Sequence, residues 1–291
     1  MHVKILTLSS IGLLLSANAY SQEPKDIPVT YPQQYILFSA KNITPNPDAG
    51  PDAPPPDKTN SFQYTVQVGT DADIDNIYYH LDQYFLEKDS SYSSDTNVYV
   101  SATRGGIYYT GIQPHANGTV GFRFSSFVAG TTPKSPNCRG GADDGDGVTC
   151  ALDGLPYTPN GKYTITVKRQ DSDDSRVTYE GLVKDETTGT TTQIGAWSLP
   201  EGYDGRILSP FNGAVELYLV GYRKTCADIP LSNVTYSNIL YNGKPAKPEI
   251  EVHHRQPPFR VGTVDTCAGV PHSTSGKVTY SDGQYTISNS D

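Results

Sequence analysis

One methionine and one tryptophan serve all 291 residues, and no stretch of useful length keeps a helical apolar period without meeting Gly or Pro. Long helices are therefore not expected. Charge is also scarce, with Lys+Arg 22 against Asp+Glu 31 and a net charge of -9, which leaves no basic footprint for nucleic acid or an anionic membrane. A neutral polymer is a more natural ligand than an acidic one. After the first residues no apolar run approaches the roughly 20 positions that a membrane helix needs. Neither a G-x-S-x-G elbow, a Ser/His/Asp grouping nor a G-x-x-x-x-G-K phosphate loop occurs. The spacing of the four cysteines lacks the C-x-x-C pairs that zinc would use.

What the chain does hold is turn-forming and β-forming residues, 21 Tyr, 27 Gly and 22 Pro, a composition suited to many short strands. At the N-terminus Lys4 precedes an apolar run from Ile5 to Leu15, and Ser16-Ala17-Asn18-Ala19 offers small residues where a signal peptidase reads. The expectation is a signal peptide over 1–19 and a secreted or periplasmic product. The remaining ~270 residues are long enough to bury a real core. We divide them into a main β domain over 20–243 and a C-terminal β-rich extension over 244–291, where Pro245, Pro248, Pro257 and Pro258 bracket His253-His254-Arg255.

From Phe62 the chain alternates with period two, Phe62, Tyr64, Val66 and Val68 on one side and Gln63, Thr65 and Gln67 on the other, the pattern of a half-buried strand. Comparable runs recur to Ile287, separated by turn signals such as Asn117-Gly118, Pro159-Asn160-Gly161, Asn242-Gly243 and Asp282-Gly283. Asn46 to Asp57, rich in Pro, Asp and Gly, reads as loop. The predicted fold is all-β, an antiparallel sandwich of jelly-roll (concanavalin-like) kind.

Four cysteines in an exported chain make two disulfides most simply, Cys138 with Cys150 and Cys226 with Cys267 being the preferred pairing by short-range closure. The first pair encloses R-G-G-A-D-D-G-D-G-V-T, an acidic loop whose Asp143, Asp144 and Asp146 are candidate ligands for a structural calcium. A solvated acidic turn is the competing reading. The carboxylates repel one another without a cation, and a disulfide lowers the entropy cost of gathering them.

Ile77-Tyr78-Tyr79-His80, then Gly106 to Gln113, then Gly121-Phe122-Arg123-Phe124-Ser125-Ser126-Phe127, then the Cys138 loop follow in an order that resembles the secreted family catalogued as domain of unknown function 3472. The resemblance spans roughly Ile74 to Tyr218 and implies a β-rich extracellular module with no established activity.

Three sets of residues carry candidate chemistry. Gln113-Pro114-His115 would place an amide and an imidazole on one strand face. Jelly-roll polysaccharide lyases use such a pair, and similarity to them would make Gln113 the neutraliser of a uronate and His115 the base; Pro114 and Asn117-Gly118 favour a turn at His115 instead. Asp75, Asp82, Glu180 and Glu216 are acids in or near extended runs, as a glycosidase requires, and Asp82 shares strand parity with His80. Tyr108, Tyr109 and Trp197 are candidates for stacking on sugar faces, although in a Tyr-Tyr pair one ring points inward. The leading expectation is a protein that binds carbohydrate or another extracellular polymer by stacking and hydrogen bonds. The alternatives are a polysaccharide lyase or glycoside hydrolase, and a protein-interaction module. No nucleic-acid partner and no membrane span are expected.

Overall fold

The computed structural model describes residues 33–42, 61–72, 74, 77–87, 92–93, 98–99, 107–142, 145–170, 176–201, 203–217, 231–245, 248–256, 260–262 and 277–288. Strands are the only regular elements among them, and all their pairings are antiparallel. In spatial order the first sheet runs β18 (Arg260–Gly262), β17 (Pro248–Gln256), β1 (Gln33–Asn42), β14 (Tyr203–Leu217), β3 (Ile77–Glu87), β6 (Ile107–Pro114), β7 (Thr119–Ser126), β10 (Val148–Pro156) and β9 (Cys138–Gly140). The second runs β19 (Lys277–Ser281), β20 (Gln284–Ser288), β15 (Asn233–Tyr241), β2 (Ser61–Val68), β11 (Lys162–Gln170), β12 (Thr178–Asp185), β13 (Thr191–Ser198) and β8 (Thr132–Pro133), with β16 (Lys244–Pro245) beside β15. A separate pair joins β4 (Tyr92–Ser93) to β5 (Val98–Tyr99).

Local chemistry accounts for the turns. Tyr241 pairs with Lys244 and Ser281 with Gln284, so each hairpin closes through two residues, Asn242-Gly243 and Asp282-Gly283. All four sit at positive φ, the requirement of a type I′ turn and the reason Asn-Gly and Asp-Gly suit it. Strands from 244–291 enter both sheets, β17 beside β1 and β20 beside β15.

The two sheets form a sandwich around one core. Phe62, Tyr64, Val66 and Val68 of β2 are all buried, as their alternation predicts, together with Tyr163, Ile165 and Val167 of β11. Against them lie Tyr79 and Leu81 of β3, Tyr108 and Ile112 of β6, and Phe122 and Phe124 of β7. Each such side chain contributes roughly 1.5–3 kcal/mol through burial. Hydrogen bonds span the layer as well: Tyr64 Oη donates to the Thr110 carbonyl at 2.7 Å, and Tyr236 Oη lies 3.3–3.4 Å from the carbonyls of Ala214 and His80.

Gly181 and Gly195 are register partners on β12 and β13, and their missing side chains leave a dent in the inner face of the second sheet. A Cβ on Gly181 would lie 2.6 Å from the Phe124 ring, and one on Gly195 would lie 2.5 Å from both Cys138 Sγ and Cys150 Cβ. The Cys138–Cys150 disulfide forms as the sequence predicts, joining directly paired residues of β9 and β10. Such a bond belongs to an oxidising compartment. Cys226 and Cys267 lie outside the described residues, as do the signal segment and Asn46 to Asp57.

Candidate functional site

Alternation on the first sheet sends Tyr79, Leu81, Tyr108, Ile112, Phe122 and Phe124 into the core, and the intervening residues to the opposite face. Strand register arranges that outward face in rows. One row places Glu216 of β14 beside Tyr78 of β3, and Gln113 of β6 beside Gly121 of β7. Extending the Tyr79–Ile112 pairing by one residue sets Tyr78 opposite Gln113 and completes it. The next row is Ala214, His80, Gly111 and Arg123, and the third brings Asp82 beside Tyr109 and Tyr109 beside Ser125.

His80 is the centre of these rows. Its Nδ1 lies 2.7 Å from Asp82 Oδ1 and its Nε2 lies 3.5 Å from Glu216 Oε2, with side-chain exposures of 1%, 7% and 18% for His80, Asp82 and Glu216. Tyr78 stacks on the imidazole at 4.5 Å and 14°, while Tyr109 packs edge-on against Tyr78 at 5.2 Å and stands 5.6 Å from the His80 ring. Burial alone would push the imidazole down. The charge and hydrogen bond of Asp82, joined by Glu216, overcome that and raise His80 to about 10. Burial likewise lifts the Tyr78 phenol well above its ordinary value. The cation, two flanking carboxylates and an aromatic face are mutually supporting.

Gly111 is the close-approach point in this arrangement. A Cβ there would lie 2.7 Å from both the Tyr78 ring and His80 Cβ, so glycine is what lets the Tyr78 ring lie across β6. Beyond it Arg123 Nη1 donates to Asp153 Oδ1 at 2.6 Å. Among the described residues, Tyr78 Oη, Gln113 Oε1 and His80 Nε2 are buried without a hydrogen-bond partner, the 3.5 Å approach of Glu216 to Nε2 being an ion-pair contact only; an unmet buried polar atom costs about 1–3 kcal/mol.

The residues singled out from sequence fall in different places. Gln113 is buried on β6 within the first row, whereas His115 lies beyond the strand end in a turn, its N–H donating to the Thr119 carbonyl at 2.9 Å. The turn expected from Pro114 and Asn117-Gly118 is present, and no hydrogen bond joins Gln113 to His115 among the described residues. Tyr108 and Trp197 are enclosed in the sandwich core. Trp197 stacks on Phe124 at 4.6 Å, so neither ring presents a face to a surface ligand. Tyr109 does lie on the outward face and is half-buried, packed 4.9 Å from Phe127. Asp146 is exposed; Asp143 and Asp144 lie outside the described residues. His80 with Glu216 is the constellation that sequence reading did not assemble. The i, i+2, i+4 series Tyr78, His80, Asp82 was the available signal.

A shallow depression of about 350 Å³ on the outer face of the second sheet, between Gln63, Thr166, Lys184 and Asn238, contrasts with this site. Its polar groups already satisfy one another: Thr65 with Thr164 at 2.8 Å, Thr164 with Glu186 at 2.7 Å and Lys184 with Glu186 at 2.6 Å.

No protein-family model matches the chain, and no curated protein matches it. Among solved structures it is similar to scytalido-glutamic peptidase with a transition state analog inhibitor, at TM-score 0.45 and 9% identity over 89% of this chain and 99% of that one. A second structure of that peptidase, with a peptide based transition state analog, gives 0.42 and 11% over 88% and 98%. The marine PL-14 alginate lyase from Aplysia kurodai gives 0.28 and 6% over 55% and 70%.

Proposed function

We propose that this chain is an exported hydrolase of an extracellular carbohydrate polymer, acting by acid–base chemistry on the outward face of its first sheet. The observation that carries the reading is buried His80 set between Asp82 at 2.7 Å and Glu216 at 3.5 Å, with Glu216 the most exposed of the three. With Asp82 at its Nδ1 and Glu216 facing its Nε2, His80 is not placed to serve as the base an elimination needs, which favours hydrolysis. Glu216 takes a proton from the attacking water as the water oxygen bonds the anomeric carbon and the bond to the leaving sugar oxygen breaks, that oxygen taking its proton from solvent on the opposite face; His80 steadies the carboxylate, and Asp82 orients His80. Half-buried Tyr109 borders the site as a surface for a sugar ring.

The test is incubation of the purified protein with a polysaccharide panel and a protein substrate, following reducing ends, unsaturated uronates and peptide fragments. Release of reducing ends, reduced about 10²–10⁴-fold in Glu216→Gln, is the expected result. Unsaturated products would replace hydrolysis by elimination, and peptide fragments would replace the substrate class. Binding without any product would return the protein to a purely glycan-binding role.

A further inference from the structure

The depression of about 350 Å³ on the outer face of the second sheet lies on the opposite side of the sandwich from His80. Two neighbouring cross-strand rows build it. One runs Leu240, Gln63, Thr166 and Leu182 across β15, β2, β11 and β12, and the other runs Thr65, Thr164, Lys184 and Thr191 across β2, β11, β12 and β13. We infer that this depression is a second binding site, which holds a neutral sugar segment of an extracellular polymer without cleaving it.

Strand pairing gives the depression its walls. The register of β15 against β2 shifts between Ser237 and Leu240, and the bulge sets exposed Asn238 at φ 50°, a conformation asparagine tolerates better than most residues. Asn238 forms one wall, with Nδ2 3.4 Å from Thr65 Oγ1, and Lys184 and Glu186 form the other, 45% and 33% exposed. Between them the floor is tied together from Thr65 through Thr164 to Glu186 and Lys184, so it is ordered before a ligand arrives. The groups above the floor keep bonding capacity. Gln63 Oε1 accepts from Thr166 Oγ1 at 3.3 Å, which leaves its Nε2 to donate, and Asn238 Oδ1 has no hydrogen-bond partner among the described residues. Both side chains are within reach, Gln63 half-buried and Asn238 exposed. A sugar hydroxyl donates and accepts, and so answers both, while Leu240 and Leu182 at the ends of their row offer aliphatic contact to the C–H groups of a ring. That row crosses three strand spacings, about 14 Å, which suits an extended segment. Charge points the same way, because Lys184 and Glu186, the cation and the carboxylate of the depression, neutralise each other at 2.6 Å and leave no surplus for an ionic ligand. Both Glu186 oxygens are engaged, Oε1 by Thr164 and Oε2 by Lys184, so the depression holds no free base.

The experiment is calorimetric titration of neutral gluco-, xylo- and mannooligosaccharides, and of alginate and polygalacturonate oligomers, into the full chain carrying Glu216→Gln. At least one neutral oligomer is expected to bind. Adding Thr166→Tyr, whose ring fills the depression from an outward strand position, should abolish that binding, and adding Gln63→Ala should weaken it about tenfold through the loss of one hydrogen bond. Gln63→Ala only shortens an outward side chain and serves as the independent variant should Thr166→Tyr fail to fold. Absence of binding by every neutral oligomer, neutral binding unchanged in the folded variants, or a uronate as the ligand that Thr166→Tyr removes would overturn the inference. The hydrolase reading is scored apart, by reducing-end release from short oligomers with Glu216 intact. Neutral binding that Thr166→Tyr abolishes, in a protein that releases no reducing ends, keeps this site and removes the hydrolase; cleavage sensitive to Glu216→Gln, with binding indifferent to Thr166→Tyr and Gln63→Ala, does the reverse.

Discussion

Replacing His80 by glutamine should flatten the alkaline limb of the stability profile. The imidazole is raised from 6.5 to about 10 in the folded protein, and a group whose folded value lies above its unfolded one contributes stability that is complete below the unfolded value and disappears as pH rises through the folded one. The window is therefore pH 6.5 to 10. Within it wild type should lose about 1.4 kcal/mol per pH unit, about 5 kcal/mol in all, through this residue. With its side chain only 1% exposed, solvent screening takes little from that figure. Glutamine carries no proton to lose, but it leaves Asp82 and Glu216 without their cation, at a cost of about 3–5 kcal/mol near neutrality. The assay is urea unfolding of both proteins at half-unit steps across the window, read as the difference between them. That difference should be largest near pH 6.5 and shrink toward pH 10. A difference that stays constant, or grows with pH, would show that His80 is not held as a cation between its carboxylates.

Gly195→Ala should destabilise the fold by about 1–3 kcal/mol, since the added methyl meets the disulfide and the sandwich has no space for it; a melting temperature equal to wild type would refute the close packing. Tyr64→Phe removes an inter-sheet donor to the Thr110 carbonyl and should cost about 1 kcal/mol by denaturant titration. Asp144→Ala combined with Asp146→Ala should abolish a calcium-dependent rise in Tm, and an unchanged Tm when calcium is added to wild type would remove the metal from the account. Replacing Cys138 and Cys150 by serine opens a loop with a sequence separation of 12 and should lower stability by about 3 kcal/mol.

Much of the sandwich was legible because its strands alternate cleanly and its turns carry the residues their geometry needs. Phe62 to Val68 and the hairpins at Asn242-Gly243 and Asp282-Gly283 are cases in which local chemistry decides. Val148–Pro156 is the contrary case. Asp153, Gly154 and Pro156 make it resemble the continuation of an acidic loop, yet it becomes β10 because β7 and β9 pair with it on either side, with a register shift between Leu152 and Leu155. The site was half legible for the same reason. Parity along β3 joins Tyr78, His80 and Asp82, but Glu216 lies more than a hundred positions on and reaches His80 only through the pairing of β14 with β3. Trp197 and Tyr108 show the opposite failure: an aromatic ring has the same composition whether it faces solvent or fills a core, and only the second sheet decides which.

The dent formed by Gly181 and Gly195 bears on how the disulfide withstands reduction. Cys150 is fully buried, and the sulfur bridge is roofed by a strand of the other sheet rather than by its own loop. A small thiol attacking Cys150 must wait until that roof lifts, whereas Cys138 is only partly buried and is the sulfur open to exchange. The lifetime of the bond in a reducing medium then reports how firmly the edge strand β9 stays seated on β10, and a change that loosens that pairing shortens it without opening the core beneath Cys150.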